Sequence, residues 1–122
     1  MKKLSREDIL KANQPKTKEI EVPEWNGAIT IKSLKAGDVL KLEELKQNGK
    51  PTPEYFFALI AYSVVDENLK PVLTIEQASE IESIPLNRIL IEILDLNKMA
   101  PDAVQKARED FLKMISEGSP SD

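Results

Sequence analysis

The uncharged run Tyr55-Phe-Phe-Ala-Leu-Ile-Ala-Tyr-Ser-Val-Val65 decides how the rest of this chain must fold. Thr52 can cap a helix shortly before it, and Pro53 suits the first helical position, where a backbone N–H has no intrahelical acceptor. The run is too short to span a membrane, which takes about 20 apolar residues. A strand is the rival interpretation, but the length and the Thr-Pro start favour a helix buried on nearly all sides. Amphipathic elements must therefore surround it.

The composition limits the chemistry open to the chain. Its 122 residues suffice for one hydrophobic core, and with aromatic residues at 5% that core must consist mainly of Leu, Ile and Val. The sequence contains no Cys and no His, which removes disulfides, the commonest general base and the commonest metal ligand. The net charge of −4 argues against general binding to nucleic acid or to an anionic membrane. We expect a cytoplasmic protein, because charged residues rather than an apolar signal segment follow Met1.

Two runs of alternating polarity, residues 19–22 and 28–32, predict an N-terminal β-hairpin. The Asn26-Gly27 pair between them is typical of a two-residue type I′ turn, because both central positions of that turn need a positive φ. Such a loop pairs Val22 with Ile31 across the strands. One face of the hairpin then carries the apolar residues Ile20, Val22, Ile29 and Ile31.

Capping signals and apolar spacing divide most of the remaining chain into helices. Ser5 and Thr74 each begin a capping box, in which the third residue of the helix bonds back to the cap. The spacing predicts helices over residues 5–12, 38–47, 53–65, 74–82, 86–99 and 102–116. Helix 86–99 is so apolar that it either lies in the core or is shared with a neighbouring subunit, and the core interpretation is favoured.

These elements predict a mainly α fold, a small domain of five to six helices with an N-terminal β-hairpin at about residues 18–33. A single domain is expected over residues 1–117. Residues 118–122 are expected to be a disordered tail because of their composition.

No group of side chains in the sequence indicates an active site. The adjacent carboxylates Glu43 and Glu44 lie on a predicted helix, where neighbouring residues do not face each other. Residues 66–68 are rich in side-chain oxygen but lack the glycine and the distal glutamate of a calcium loop. The serines have no histidine to activate them, and the chain has no glycine-rich phosphate loop. We therefore expect a protein that is not an enzyme and that uses no cofactor and no metal.

Four short phrases carry a resemblance to a known family. The opening Lys3-Leu-Ser-Arg-Glu-Asp-Ile-Leu10 is similar to a Ser/Thr-capped first helix, and Glu21-Val-Pro-Glu-Trp-Asn-Gly27 to a strand-tryptophan-glycine hairpin. Ser63-Val-Val-Asp-Glu67 resembles the junction of a central helix with an Asp-rich turn, and Leu94-Asp-Leu-Asn97 resembles a helix end. In this order and spacing, the phrases resemble the tail assembly chaperones of long-tailed bacteriophages with non-contractile tails. That family leads one to expect a glycine after Asp66, where this chain has Asn68-Leu69.

The resemblance implies a chaperone that holds the long, largely helical tape measure protein in soluble form while tail tube subunits polymerise around it. The tape measure protein is then the expected partner, with the tail tube protein and further copies of this chain as additional candidates. The candidate contact residues are Trp25, Ile29, Ile31, Leu90, Ile93, Leu94 and Phe111. For each of them, packing inside the domain is the favoured single explanation, and for Trp25 this means covering the end of the hairpin.

A second function from another class stays open. A small helical adaptor or regulatory protein of a prophage, which binds one folded partner, fits the same residues. Self-association and stabilisation of a long helical client would favour the chaperone, whereas a compact monomer with one stoichiometric partner would favour the adaptor.

Overall fold

A computed structural model describes residues 1–98 together with Glu109 and Lys113. Residues 1–98 form five α-helices and three strands. In chain order, these are α1 (Arg6–Ala12), β1 (Thr17–Val22), β2 (Gly27–Lys32), α2 (Ala36–Glu43), α3 (Pro53–Ser63), β3 (Val64–Val65), α4 (Ile75–Ser79) and α5 (Ser83–Leu96). Apart from Glu109 and Lys113, the helix predicted over residues 102–116 lies outside the described residues, as does the predicted tail.

Helix α3 lies at the centre of the described structure, as its uncharged sequence predicts. Thr52 caps it by accepting a hydrogen bond from the N–H of Tyr55 at 3.3 Å, and Pro53 is its first residue. Helices α2, α4 and α5 all pack against it. The side chains that it buries are Phe56, Ala58, Leu59, Ile60, Ala61 and Ser63.

The prediction of a mainly α fold is wrong, because the hairpin gains a third strand and the architecture is mixed α/β. Helix α3 ends at Ser63, and the next two residues form β3, which runs antiparallel to β2. Val64 lies opposite Ile31, and Val65 lies opposite Thr30. Consecutive β-branched valines favour extended backbone, and the free edge of β2 offers them hydrogen-bonding partners. The predicted helix over residues 53–65 is therefore two residues too long at its end.

The predicted N-terminal hairpin is present, but its loop is longer than a two-residue turn. A 3-10 turn over Pro23–Trp25, followed by Asn26 at φ 52°, connects the strands, so that Val22 pairs with Gly27 rather than with Ile31. The pairing differs from the prediction by an even number of residues, which leaves each side chain on its predicted face. The apolar face is therefore retained, with Ile20 opposite Ile29.

Helix α5 closes the core by packing between α3 and the strands β1 and β2. It begins at Ser83, three residues earlier than predicted, and Pro85 fits within its first turn, where backbone N–H groups lack intrahelical acceptors. The side chains that it buries are Pro85, Leu86, Ile89, Leu90, Ile93 and Leu94. The apolar face of this helix is thus covered by the chain's own sheet and central helix.

A two-residue Asn-Gly turn does occur in the chain, at Asn48 and Gly49. Gln47 and Lys50 exchange two backbone hydrogen bonds of 2.9 Å across it. Asn48 has φ 53° and Gly49 has φ 74°, the pair of positive angles that a type I′ turn requires.

We expect Gly49→Ala to lower the free energy of unfolding by about 1–2 kcal/mol, because an L-residue is strained in the left-handed region. A Cβ at Gly49 meets no described atom within 4 Å, so the cost arises in the backbone alone. Gly37→Ala is the matched control, since its Cβ also meets open space but its backbone is helical. The free energy of unfolding of Gly37→Ala should rise by up to about 1 kcal/mol, because alanine has a higher helix propensity than glycine. Urea denaturation measures the free energy of unfolding of both variants. A change in the same direction for both would contradict the type I′ turn at Asn48 and Gly49.

Candidate partner-binding surfaces

The residues predicted to contact a partner differ in their accessibility. Four of them are buried in the core with exposures of 0–4%, and these are Ile31, Leu90, Ile93 and Leu94. Ile29 is half-buried and packs against the same core. Trp25 is 44% exposed beside the hairpin turn, and Phe111 lies outside the described residues. Contact between a partner and the four buried residues would require the core to open, and it stays a prediction.

Helix α1 and the residue Leu4 before it present apolar side chains that are more exposed than Trp25. The Oγ of Ser5 accepts a hydrogen bond from the N–H of Asp8 at 3.1 Å, and the Asp8 carboxylate accepts one from the N–H of Ser5 at 3.0 Å. The predicted capping box is therefore confirmed. The hydrogen bond from the Ser5 backbone also lowers the pKa of the Asp8 carboxyl group. These hydrogen bonds stabilise a short helix that gains nothing from packing in the core, since α1 has no buried residue.

Three large apolar side chains in and before α1 are more than half exposed. Leu4 is 58% exposed, Ile9 is 51% exposed and Leu10 is 55% exposed. We call these three residues the α1 apolar surface. The sequence contains the signal for it, an apolar pair after a cap, but the same signal is expected of a helix that packs on a core. Further exposed apolar side chains of the described residues are Val39, Leu40, Val72 and Ile84.

Two ion-pair groups connect the hairpin to α5. The guanidinium group of Arg88 binds both carboxylate oxygens of Glu24, with Nη2 at 2.9 Å from Oε2. Lys18 binds Glu92 and lies 3.8 Å from the carboxylate of Asp95. Arg88, Glu92 and Asp95 follow one another along α5 at four- and three-residue spacing, and they pair with the hairpin. The acidic partners raise the pKa of Lys18, mainly through the hydrogen bond to Glu92.

The pair of Glu24 and Arg88 predicts a pH-dependent part of the stability. The hydrogen bonds from Arg88 lower the pKa of the Glu24 carboxyl group below its ordinary value of 4.5. Because the folded-state pKa is the lower one, the stabilisation is fully present above that ordinary value and is lost as the pH falls through the folded-state pKa. Glu24→Gln should therefore destabilise the protein slightly at neutral pH and lose this difference in acid, as urea denaturation over a pH series would show.

The matched control for this prediction is Glu21→Gln, which removes the same charge from β1, three residues before Glu24. Glu21 is exposed and makes no ion pair with any residue that the structure describes. Its replacement should change the unfolding free energy less than that of Glu24 at neutral pH. Equal pH dependence in the two variants would show that the Arg88 pair does not contribute.

Asn97 connects the end of α5 to the segment that follows β2. Its Oδ1 accepts a hydrogen bond from the N–H of Leu34 at 3.0 Å, and its Nδ2 donates one to the carbonyl of Ile93 at 2.8 Å. The phrase that ends in Asn97 therefore marks a helix end, as the sequence suggests. The Asn97 side chain thereby connects Leu34, which precedes α2, to the end of α5.

The described residues show neither a group of metal ligands nor a membrane-spanning helix. Within residues 1–98, 109 and 113, no three side chains of the types His, Cys, Asp and Glu are grouped closely enough to hold a metal ion. The helices in those ranges are too short or too polar to cross a membrane. Comparison with protein-family models, with curated proteins and with solved structures finds no match to this chain.

Proposed function

We propose that this chain is a phage tail assembly chaperone, which binds the tape measure protein without catalysis and keeps it soluble in the host cytoplasm while the tail tube assembles. The four sequence phrases that resemble this family support the proposal. The observation that carries it is the α1 apolar surface, since Leu4 just before α1 and Ile9 and Leu10 within it are exposed, and the helix buries none of its residues.

A capped amphipathic helix is a suitable element for holding another helix. Helix-in-groove recognition uses apolar side chains at helical spacing, and it needs shape rather than catalytic groups. Full burial of one Leu or Ile side chain contributes roughly 1.5–3 kcal/mol. Three side chains that are already partly covered contribute several kcal/mol at most, so a single contact of this kind is weak. Several copies of the chain along one extended helical client would strengthen the binding through multivalency.

The proposal is tested by co-expressing the chain with a long coiled-coil segment of a tape measure protein and measuring the complex by light scattering after a sizing column. We expect several copies to remain bound to a soluble client. Leu10→Asp should release the client without unfolding the chaperone, because Leu10 is not in the core. Leu40→Asp is the matched control, since Leu40 is 68% exposed on α2, and it should leave the complex intact.

The alternative, a prophage adaptor that binds one folded partner, is favoured by one observation. Leu90, Ile93 and Leu94 of α5 are covered by the chain's own core, so this helix has no surplus apolar face that demands a second subunit. A monomer that leaves the client insoluble, with or without Leu10→Asp, would overturn the chaperone proposal and leave the adaptor.

A further inference from the structure

The outer edge of β1 presents a row of backbone groups that have no hydrogen-bonding partner. The N–H of Lys16 donates to the Oγ of Ser33 at 2.9 Å, and its carbonyl accepts from the N–H of Ser33 at 2.8 Å, so both groups turn toward β2. Backbone directions alternate along a strand, and the N–H and C=O groups of Thr17, Glu19 and Glu21 therefore turn the other way. None of these groups bonds to another residue that the structure describes. We call them the β1 edge.

The β1 edge is accessible to solvent, and its length is limited at both ends. β1 is an outer strand of the described sheet, whose order is β1, β2, β3. Thr17, Glu19 and Glu21 are all exposed. The residues two before Thr17 and two after Glu21 are Pro15 and Pro23, which have no N–H to donate. An added strand therefore finds donors only over the span from Thr17 to Glu21, which suits a short extended segment.

The side chains along this edge are acidic on the solvent face of the sheet. Successive residues of a strand alternate between the two faces, so Glu19 and Glu21 lie on the face opposite to the buried Ile20. Neither glutamate makes an ion pair with a residue that the structure describes. On the other face, Lys18 is already paired with the carboxylates of α5. A strand added to this edge therefore meets two unpaired carboxylates on the solvent face.

These carboxylates distinguish between the strands that could pair with the edge. A second copy that paired antiparallel through all of the outward residues would place Glu19 opposite Glu19, and Glu21 opposite Thr17. Like charges directly opposite each other destabilise a strand pair, whereas opposite charges stabilise it. The glutamates therefore protect the edge against self-pairing, as charged side chains do on the edges of natural sheets. The same glutamates attract a strand that carries Lys or Arg at the two matching positions.

We propose that the β1 edge binds an extended segment of a partner protein, with Lys or Arg at alternate positions, by adding it to the sheet as a further strand. Backbone hydrogen bonds supply the affinity in this mode of recognition. Glu19 and Glu21 select the basic side chains. An uncharged residue suits the Thr17 end, because Lys16 and Lys98 lie close together there and Lys98 lowers the pKa of Lys16. The β1 edge shares no residue with the α1 apolar surface and does not depend on the chaperone function.

Titration with the peptide acetyl-Lys-Thr-Lys-Thr-Thr-Thr-amide, followed by NMR of the protein's backbone amides at low salt, tests the site. Bound antiparallel to β1, this peptide places its lysines opposite Glu21 and Glu19. We expect saturable binding with a Kd in the millimolar range or tighter. The amides of Thr17, Glu19 and Glu21 should then exchange with solvent more slowly, whereas those of Lys18 and Ile20, which turn toward β2, should be protected without the peptide. The same peptide with Glu in place of Lys should bind more weakly.

Charge reversal separates the β1 edge from the rest of the surface. Glu19→Lys should weaken binding of the basic peptide about 2- to 30-fold, because an attractive cross-strand pair becomes a repulsive one. Glu67→Lys is the matched control, since Glu67 is an exposed glutamate in the turn after β3, the strand at the opposite edge of the sheet. This control should leave the Kd nearly unchanged.

The proposal is overturned if binding does not saturate at millimolar peptide, or if the peptide binds without slowing exchange at the amides of the β1 edge. It is also overturned if Glu19→Lys and Glu67→Lys weaken binding equally, because the effect is then one of net charge. Slower exchange at the same amides in the concentrated protein without peptide would show that a second copy occupies the edge instead.

Discussion

Leu90→Ala is expected to lower the free energy of unfolding by about 2–5 kcal/mol, the usual cost of removing a fully buried leucine side chain. Leu90 is 0% exposed and lies in the middle of α5, where that helix meets both α3 and the sheet. Truncation leaves a cavity that three packed elements cannot easily close. Because a domain of this size is stable by only about 5–15 kcal/mol, the variant would lose a large share of its stability. Urea denaturation followed by circular dichroism measures the change.

Ile84→Ala in the same helix is the control for this prediction. Ile84 is 69% exposed, and its truncation should change the unfolding free energy by no more than about 0.5 kcal/mol. The comparison also tests the role that the sequence suggests for Leu90 as a partner contact. A Leu90→Ala protein that keeps its full stability but loses a helical client would show that Leu90 acts at an interface rather than in the core.

Three helix caps could be predicted because their physical causes are local. Ser5 with Asp8, Thr74 with Gln77, and Thr52 with Pro53 each act within a few residues, so the chain alone contains the whole interaction. The turn chemistry was less predictable. The dipeptide Asn-Gly occurs twice, and only Asn48-Gly49 forms the two-residue turn, whereas residues 23–26 connect the hairpin. Pro23 allows the longer loop there, since a proline fits the start of a 3-10 turn.

The third strand and the accessible surface depend on contacts far apart in the sequence. Val64 and Val65 pair with residues more than thirty positions earlier, and the choice between helix and strand rests on that pairing rather than on their neighbours. Likewise, α1 and α5 both carry large apolar side chains, yet α5 is covered and α1 is not. Periodicity shows which face is apolar, but it does not show what covers that face.

The turn after β3 illustrates how a backbone requirement can be met without its usual residue. The resemblance leads one to expect a glycine there, and the structure has Leu69 at φ 62°, in the left-handed region that glycine adopts most easily. The Asp66 carboxylate holds the turn from inside by accepting two backbone hydrogen bonds. These bonds offset part of the strain at Leu69. Leu69 therefore adopts the left-handed backbone in this turn without a glycine.

Thr30→Pro is expected to lower the free energy of unfolding by about 2–4 kcal/mol, because it removes a backbone donor from the central strand of the sheet. Backbone directions alternate along a strand. The N–H of Ser33 donates to Lys16 on the β1 side at 2.8 Å, which directs the N–H of Thr30 to the other side, toward β3. Proline at position 30 has no N–H to donate, and its ring intrudes on β3, where Val65 lies opposite Thr30.

Glu19→Pro is the matched control, since Glu19 lies directly opposite Thr30 in the register of β1 and β2. By the same alternation, the N–H of Glu19 points away from β2, to the outer edge of the described sheet, where a proline is tolerated. Both prolines restrict φ equally. The two variants therefore differ only in whether a described strand lies on the side to which the replaced N–H points. If residues 64–65 were the last turn of a helix, as the sequence suggests, both prolines would face an open edge and cost about the same. Urea denaturation measures both losses of stability. A loss confined to Thr30→Pro is the expected result and shows that β3 pairs with β2, whereas equal losses would contradict that pairing and favour a mainly α fold.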